Sequence, residues 1–320
     1  MTRKLTSLAL AALLACTGAT SAFAAAPLVK TPNPGYFHMM LGDFEVTAIG
    51  DGTIELPVNT LITGMKPAQV DAELAKVHLK SPLDTSVNGF VINTGSKLVL
   101  VDTGSGDSGA FGPNVGRFLA NLKAAGYTPE QVDEIYITHL HLDHVGGLIS
   151  GGKIAFPNAI VRAQKKEADF WLSQANLDKA SADMKGFFKG AQTSLQPYVA
   201  AGKFKPFEGD TELLPGIRAH AGDGHTPGHS RYLVESKGQK LVLVGDLIHV
   251  AGVQLAHPEL TVGFDLNAKD AAAERKQEFD AAVKGGYLVG APHIQFPGLG
   301  HLVKEGKGYA WIPVNYSSVR

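Results

Sequence analysis

The chain is nearly without cysteine: Cys16 is the only one among 320 residues. It falls in a stretch that reads as a leader, so the mature chain is expected to hold none. A disulfide framework, a thiolate metal site and a thiol nucleophile are thereby excluded. Any metal must be held by histidine and carboxylate. Charge is also sparse. Charged residues make up 18% of the chain and the net charge is -1, against roughly 25% charged residues in an average soluble domain. The 29 basic residues are scattered, with no cationic stripe of the kind that faces nucleic acid, so that partner is not expected. The chain also lacks a Gly-x-Ser-x-Gly elbow, which removes the usual serine nucleophile of an α/β-hydrolase.

The N-terminus has the order of features of an export signal. Arg3 and Lys4 are basic, Leu5 to Ala15 is largely apolar but too short for a stable membrane span, and Ala22-Phe23-Ala24 is a small-x-small cleavage site. Residues 1–24 are therefore read as a signal peptide, and the mature protein is expected in the periplasm or secreted. Leu13-Leu14-Ala15-Cys16 loosely resembles a lipobox, so a lipoprotein anchored through Cys16 is the minor alternative; Leu14 is not the usual small residue there. Residues 25–40, with Pro27, Pro32, Pro34 and Gly35, read as an extended arm.

Beyond the arm, strand and helix patterns alternate. Phe44 to Ile49, Ser86 to Ile92, Leu98 to Val101, Ile135 to Ile137 and Ala159 to Arg162 read as strands. So do Ile217 to His220, Arg231 to Glu235, Leu241 to Val244 and Tyr287 to Val289. Helical spacing runs from Val115 to Leu122, Ala168 to Asn176, Ala180 to Phe188 and Ala268 to Lys284. With 44% hydrophobic residues there is material for one large core, and the alternation predicts a single α/β domain over 41–320 with layered sheets and helices.

The densest chemical signal is Thr138-His139-Leu140-His141-Leu142-Asp143-His144, directly after a predicted strand. In extended backbone, residues two apart share a side. His139 and His141 can therefore present both imidazoles to one point. A turn then lets Asp143 and His144 face a second point nearby. Gly146 and Gly147 allow a close backbone pass behind them. Three weaker signals follow: Gly224-His225-Thr226-Pro227-Gly228-His229, Gly245-Asp246 and Pro292-His293. Alone, a histidine in a turn is usually just solvated, and an aspartate after a strand is often a helix cap. Each of these residues nevertheless follows an apolar strand, where sites of α/β sheets gather. By contrast, Gly104-Ser105-Gly106-Asp107-Ser108-Gly109 fits the dinucleotide pattern but does not open into a helix, since Gly112 and Pro113 intervene.

The series His-x-His-x-Asp-His, Gly-His-Thr-Pro-Gly-His, Gly-Asp and a late histidine, with Leu-Val-Asp-Thr-Gly around Asp102, resembles the metallo-β-lactamase superfamily. Within it the likeness is to the secreted methyl parathion hydrolases, and it runs through Phe111-Gly112-Pro113, Lys284-Gly285-Gly286-Tyr287 and Gly306-Lys307-Gly308-Tyr309. The resemblance implies a four-layer αββα sandwich and a homodimer. It also implies two divalent ions, with Zn²⁺ as the first expectation and Mn²⁺, Co²⁺ or Fe compatible with the donor set. His139, His141 and His225 match the ligands of one metal. Asp143, His144 and His293 match those of the other, and Asp246 matches the bridging carboxylate. Asp246 and Asp143 are thus the residues expected to carry the catalytic chemistry. Asp102 matches a residue that orients a ligand, and His229 and His301 are left as structural. Phe111, Trp171 and Phe188 stand where the resemblance implies an aromatic substrate pocket.

Two ions about 3.5–4 Å apart can share a water and lower its pKa toward 7, giving a nucleophile without a side chain. The expected function is hydrolysis of a small ester, lactone or phosphotriester. His249 and His257 fall where the methyl parathion hydrolases look more apolar, and this departure favours a lactone or aryl ester. Two other readings use the same ligands: a redox enzyme on this scaffold (an iron dioxygenase or diiron oxidoreductase), and a non-catalytic metal-binding protein.

Overall fold

The structure is a computed structural model that describes residues 26–317. The leader and Cys16 lie outside the described residues. Residues 26–33 are exposed and without regular structure, and a compact unit begins at Pro34.

The first sheet takes six strands in chain order. They are β1 (Tyr36–Leu41), β2 (Phe44–Leu56), β3 (Leu83–Asn93), β4 (Leu98–Val101), β5 (Glu134–Tyr136) and β6 (Ile160–Arg162). β1 to β4 run antiparallel to their neighbours, and β4, β5 and β6 are parallel. The second sheet takes seven, again in chain order: β7 (Thr211–Leu214), β8 (Ile217–Ala221), β9 (Ser230–Ser236), β10 (Gln239–Leu243), β11 (Leu288–Gly290), β12 (Leu299–Glu305) and β13 (Gly308–Pro313). Only β10 and β11 are parallel there.

The layering follows from residue alternation. In β4, Val99 and Val101 face the second sheet, while Leu98 and Leu100 face helices. In β10, Leu241 and Leu243 face the first sheet and Val242 faces away. A two-sided apolar strand must be covered on both faces. Outside the first sheet lie α2 (Phe118–Ala124) and α5 (Ala182–Ala200), which contribute Phe118, Leu122, Ala191 and Leu195. Outside the second lies α6 (Ala268–Gly285), which contributes Phe279 and Ala282. The order helix, sheet, sheet, helix is the predicted αββα sandwich. A smaller cluster joins α1 (Pro67–Lys76) to the segment around Val250 and Leu260. Among the described residues, no helix is long and apolar enough to cross a membrane.

Three expectations change. Residues 36–40 belong to β1 rather than to a separate arm, because Gly42, at φ 59°, turns the chain back and pairs Tyr36–Leu41 with Phe44–Ile49. Prolines before Tyr36 break helices but do not prevent an edge strand. The helix expected over Ala168–Asn176 is two, α3 (Lys165–Trp171) and α4 (Gln174–Lys179), because Ser173 caps the second by accepting from Asn176 N–H. The helix expected at Val115 starts at Phe118, since Gly116 sits at φ 85°.

That late start has a specific cause. β2 carries a bulge between Gly50 and Gly52, and a bulge re-aims its side chain. The buried Asp51 carboxylate accepts from Ser105 N–H and Oγ, Gly116 N–H and Phe118 N–H. One side chain thus closes the base of the loop that carries Phe111. Replacing Asp51 by Ala leaves three backbone N–H groups without partners, at about 1–3 kcal/mol each. The Asp51→Ala variant is expected to lose at least about 3 kcal/mol in urea unfolding and to become protease-sensitive between residues 105 and 116. A loss under about 1 kcal/mol would rule out this role.

Candidate metal centre

The site is built where strands end. β4 leads into Asp102, β5 into residues 137–144, β8 into the loop of His225, β10 into Asp246 and β11 into His293. Two cross-sheet bonds seat the first loop: Tyr232 OH donates to Ile137 O (2.6 Å) and Ser230 N–H to Thr138 O (2.8 Å). After His141 the chain makes a single helical turn, Leu142–Val145, which redirects Asp143 and His144. Gly146 and Gly147 are required here: a Cβ would lie 2.1 Å from Ser105 O and 1.9 Å from Thr103 O, respectively.

All seven predicted ligands converge on one buried space around Asp246. Its Oδ2 lies 3.5 Å from His139 Nε2 and 3.4 Å from His225 Nε2. His141 Nδ1 lies 3.2 Å from His225 Nε2. Its Oδ1 lies 3.3 Å from both His144 Nε2 and His293 Nε2. Asp143 Oδ2 completes that second set, 3.6 Å from His144 Nε2 and 3.5 Å from His293 Nε2. Within each set the donor atoms lie within 4.8 Å of one another.

Three of the outer nitrogens are spoken for. His144 Nδ1 donates to Asp102 Oδ2, His225 Nδ1 to Asp265 Oδ1 and His293 Nδ1 to Ser86 O, all at 2.8 Å. Such bonds fix the tautomer and leave the Nε2 lone pair pointing inward. Asp102 also accepts from Thr138 N–H and Oγ (2.8 Å each), with its own backbone at φ 61°. That left-handed conformation is uncommon for a residue with a side chain, and functional sites often hold it.

The residues present fit cations. His139 Nε2, His144 Nε2 and Asp246 Oδ1 are buried and have no hydrogen-bond partner, and buried polar atoms seldom go unpaired. Burial pushes His139 and His141 well below the ordinary histidine pKa, favouring the neutral ligand form. Burial acts the same way on His144, but Asp246, Asp143 and Asp102 outweigh it and hold it well above. For Asp246 burial acts upward, but His144, His293, His139 and His249 outweigh it and keep the carboxyl well below the usual range. Burial acts downward on His293 as well, but Asp246 and Asp143 outweigh it and hold it above the ordinary value. A space that draws protons onto two histidines while keeping an aspartate ionised is short of positive charge. One ion would be held by His139, His141, His225 and Asp246, and the other by Asp143, His144, His293 and Asp246.

Other predicted positions separate. Phe111 lines the cleft above Asp246. Trp171 and Phe188 do not: both are buried in the core, Trp171 edge-on to His141 with ring centres 5.4 Å apart, and Phe188 against Trp171 at 4.7 Å. The cleft takes Phe187 instead, with Phe264, Ile54 and Leu56. Successive residues on a helix point about 100° apart, so a one-residue difference decides which side α5 offers. His229 is structural: its Nε2 accepts from Asp246 N–H at 3.0 Å. His301 is exposed on β12, and His257 sits between Glu73 and Glu259 at 3.6 Å from each.

Three residues at the site have no motif around them. His249, buried, brings Nε2 to 3.0 Å from Asp246 Oδ2 and lines the cleft. Asp265 is paired with His225 across 40 residues of chain. Glu167 accepts hydrogen bonds from two ligand-bearing loops. Only proximity to Asp246 flagged His249 in the sequence, and nothing flagged the other two.

Comparison with known proteins agrees with this geometry. Residues 83–285 match the metallo-beta-lactamase superfamily. An N-acyl homoserine lactonase of Bacillus cereus is 27% identical over 175 residues, 48% of this chain and 60% of that protein. The chain thus matches under two thirds of the length of that curated relative. Among solved structures, the hydrolase AbOPH of the β-lactamase superfamily superposes with a TM-score of 0.84 at 35% identity, covering 90% of this chain and all of that one. The dizinc quorum-quenching lactonase AidC gives 0.81 at 26% identity, covering 89% and 99%. With the layers, the ligand order and these matches in agreement, the chain belongs to the metallo-beta-lactamase superfamily.

Proposed function

We propose that this protein is a two-metal hydrolase of neutral lactones and related esters, with N-acyl homoserine lactones as the first substrate class. The observation that carries this reading is Asp246, whose two carboxylate oxygens face two separate sets of three donors at the floor of an apolar cleft. A pair of ions bound there would acidify a water to neutral pH and polarise an ester oxygen. Asp246 would offer Oδ2 to one position and Oδ1 to the other. His249 lines the cleft with its Nε2 bonded to the same carboxylate, where the imidazole can help orient Asp246 beside the bound ester.

The walls support a neutral substrate with an apolar part. Phe111, Phe187, Phe264, Ile54 and Leu56 line the cleft, and no lysine or arginine does. The cleft itself is small, about 80 Å³. A carboxylate-bearing β-lactam finds no lysine or arginine among the described lining residues to pair with. The kinship with dizinc and N-acyl homoserine lactonases supports the same choice. Zinc is the proposed metal. Phosphotriester turnover, the activity of the methyl parathion hydrolases, is proposed as secondary. Export after cleavage at Ala24 and assembly as a homodimer complete the proposal; N-terminal sequencing of the mature protein and sedimentation test them.

Purified protein is expected to carry about two equivalents of divalent metal. Chelation should abolish lactone hydrolysis, and Zn²⁺ should restore it. Asp246→Asn is expected to lose one equivalent and to lower kcat/KM by more than about 100-fold, beyond what loss of an outer hydrogen-bond partner typically costs. Iron with oxygen consumption and no ester turnover would overturn the hydrolytic reading.

Phe187→Ala tests the wall. Removing this ring should raise KM for a long-chain acyl lactone roughly tenfold, equivalent to about 1.4 kcal/mol, while leaving a short-chain lactone little changed. Equal effects on both chain lengths would place the acyl group elsewhere.

A further inference from the structure

Both loops that supply His139, His141 and His225 end on one buried carboxylate. Glu167 sits on α3 and is fully buried. Its Oε1 accepts Leu140 N–H at 2.9 Å, between His139 and His141 in sequence. Its Oε2 accepts Thr226 Oγ–H at 2.8 Å and Gly228 N–H at 3.0 Å, on the loop of His225. The approach is tight: a Cβ on Gly228 would lie 2.3 Å from Glu167 N. Trp171, four residues further along α3 and so on the same helix face, packs edge-on behind His141. These contacts all serve the donor set on the Oδ2 side of Asp246. The other set is tied differently, through Asp102 to His144 and through Ser86 to His293.

We infer that Glu167 is a positioning residue for one of the two cation positions, a strut that holds the His139–His141 and His225 loops at ligating separation and leaves the Asp143–His144–His293 position to Asp102 and Ser86. A buried carboxylate is costly unless its lone pairs are satisfied, and here three donors from two loops satisfy it. The placement therefore does more than fill a core position: it joins Leu140 and Thr226, 86 residues apart, at the points flanking three ligands.

The inference rests on the two-metal reading. Stepwise binding of Zn²⁺ and Co²⁺ to metal-stripped protein, by chelator competition with the Co²⁺ absorption spectrum recorded, tests it. Wild type is expected to take two equivalents in two steps. Glu167→Gln replaces one acceptor oxygen with a donor, which confronts Leu140 N–H. It should weaken one step by about 10–100-fold, the usual effect of losing an outer partner, and leave the other within about threefold. Asp102→Asn, which removes the acceptor of His144 Nδ1 but also touches Thr138 beside His139, should weaken the opposite step more than this one and alter a different part of the Co²⁺ spectrum. Glu167→Asp, which keeps both oxygens, should recover part of the loss. If Glu167→Gln fails to fold, Thr226→Val removes one donor from the same strut and should act on the same step. Equal weakening of both steps, or a lowered Tm with both steps unchanged, would overturn the inference. Failure of wild type to take two equivalents would instead overturn the metal reading itself.

Discussion

Asp246 carries two oxygens into a space walled by imidazoles, and every other feature of the centre is arranged around that carboxylate. Each oxygen serves a different set of donors, so two cations would be separated by the width of one carboxylate. The backbone of Asp246 is held as firmly as its side chain, because His229 accepts its N–H and Gly245, at φ 54°, turns the chain so that this is possible. A residue after β10 can reach donors from β5, β8 and β11 only because the two sheets are stacked with those strand ends together.

The sheets are stacked by alternation. Val99, Val101, Tyr136, Tyr232, Leu241 and Leu243 fill the space between them, and Tyr136 stacks on Tyr232 with ring centres 5.6 Å apart. Packing of that kind transmits position, since a close-packed interior yields little. The loops that leave the strand ends are pinned a second time by buried carboxylates. Asp51, Asp102, Glu167 and Asp265 each accept bonds from segments distant in sequence. Each is buried and bonded, so the desolvation cost is offset locally. Four carboxylates that touch no substrate thereby set the geometry of the residues that would.

The cleft shows a division of labour between floor and walls. The floor is polar and dense with ligands. The walls are phenyl rings and aliphatic side chains from β2, the 105–116 loop, α5 and the segment at Phe264. An apolar wall excludes water and strengthens the electrostatic effect of the floor. His249 stands between the two regimes, buried, beside Asp246, and open to the cleft.

The ligand set was legible in the sequence because its chemistry is local. His139, His141, Asp143 and His144 sit within six residues, and period-two alternation followed by a turn says which side chains share a target. The strand ends were legible too, since Leu98–Val101 and Leu241–Val244 are continuous apolar runs that lead to Asp102 and Asp246, and Tyr287–Val289 leads to His293; the choice of Asp246 and His293 as ligands came from the family resemblance. Composition settled that any ligand must be nitrogen or oxygen. What the chain order alone did not contain was distance through space. Glu167 and Asp265 sit in ordinary helical and turn sequence, and only folding brings them within 3 Å of loops dozens of residues away. The choice of Phe187 over Phe188 and Trp171 was likewise tertiary. Aromatic residues on a helix are equally apolar on either side, and the rotation of α5 against the sheet decides which ring meets the core and which lines the cleft.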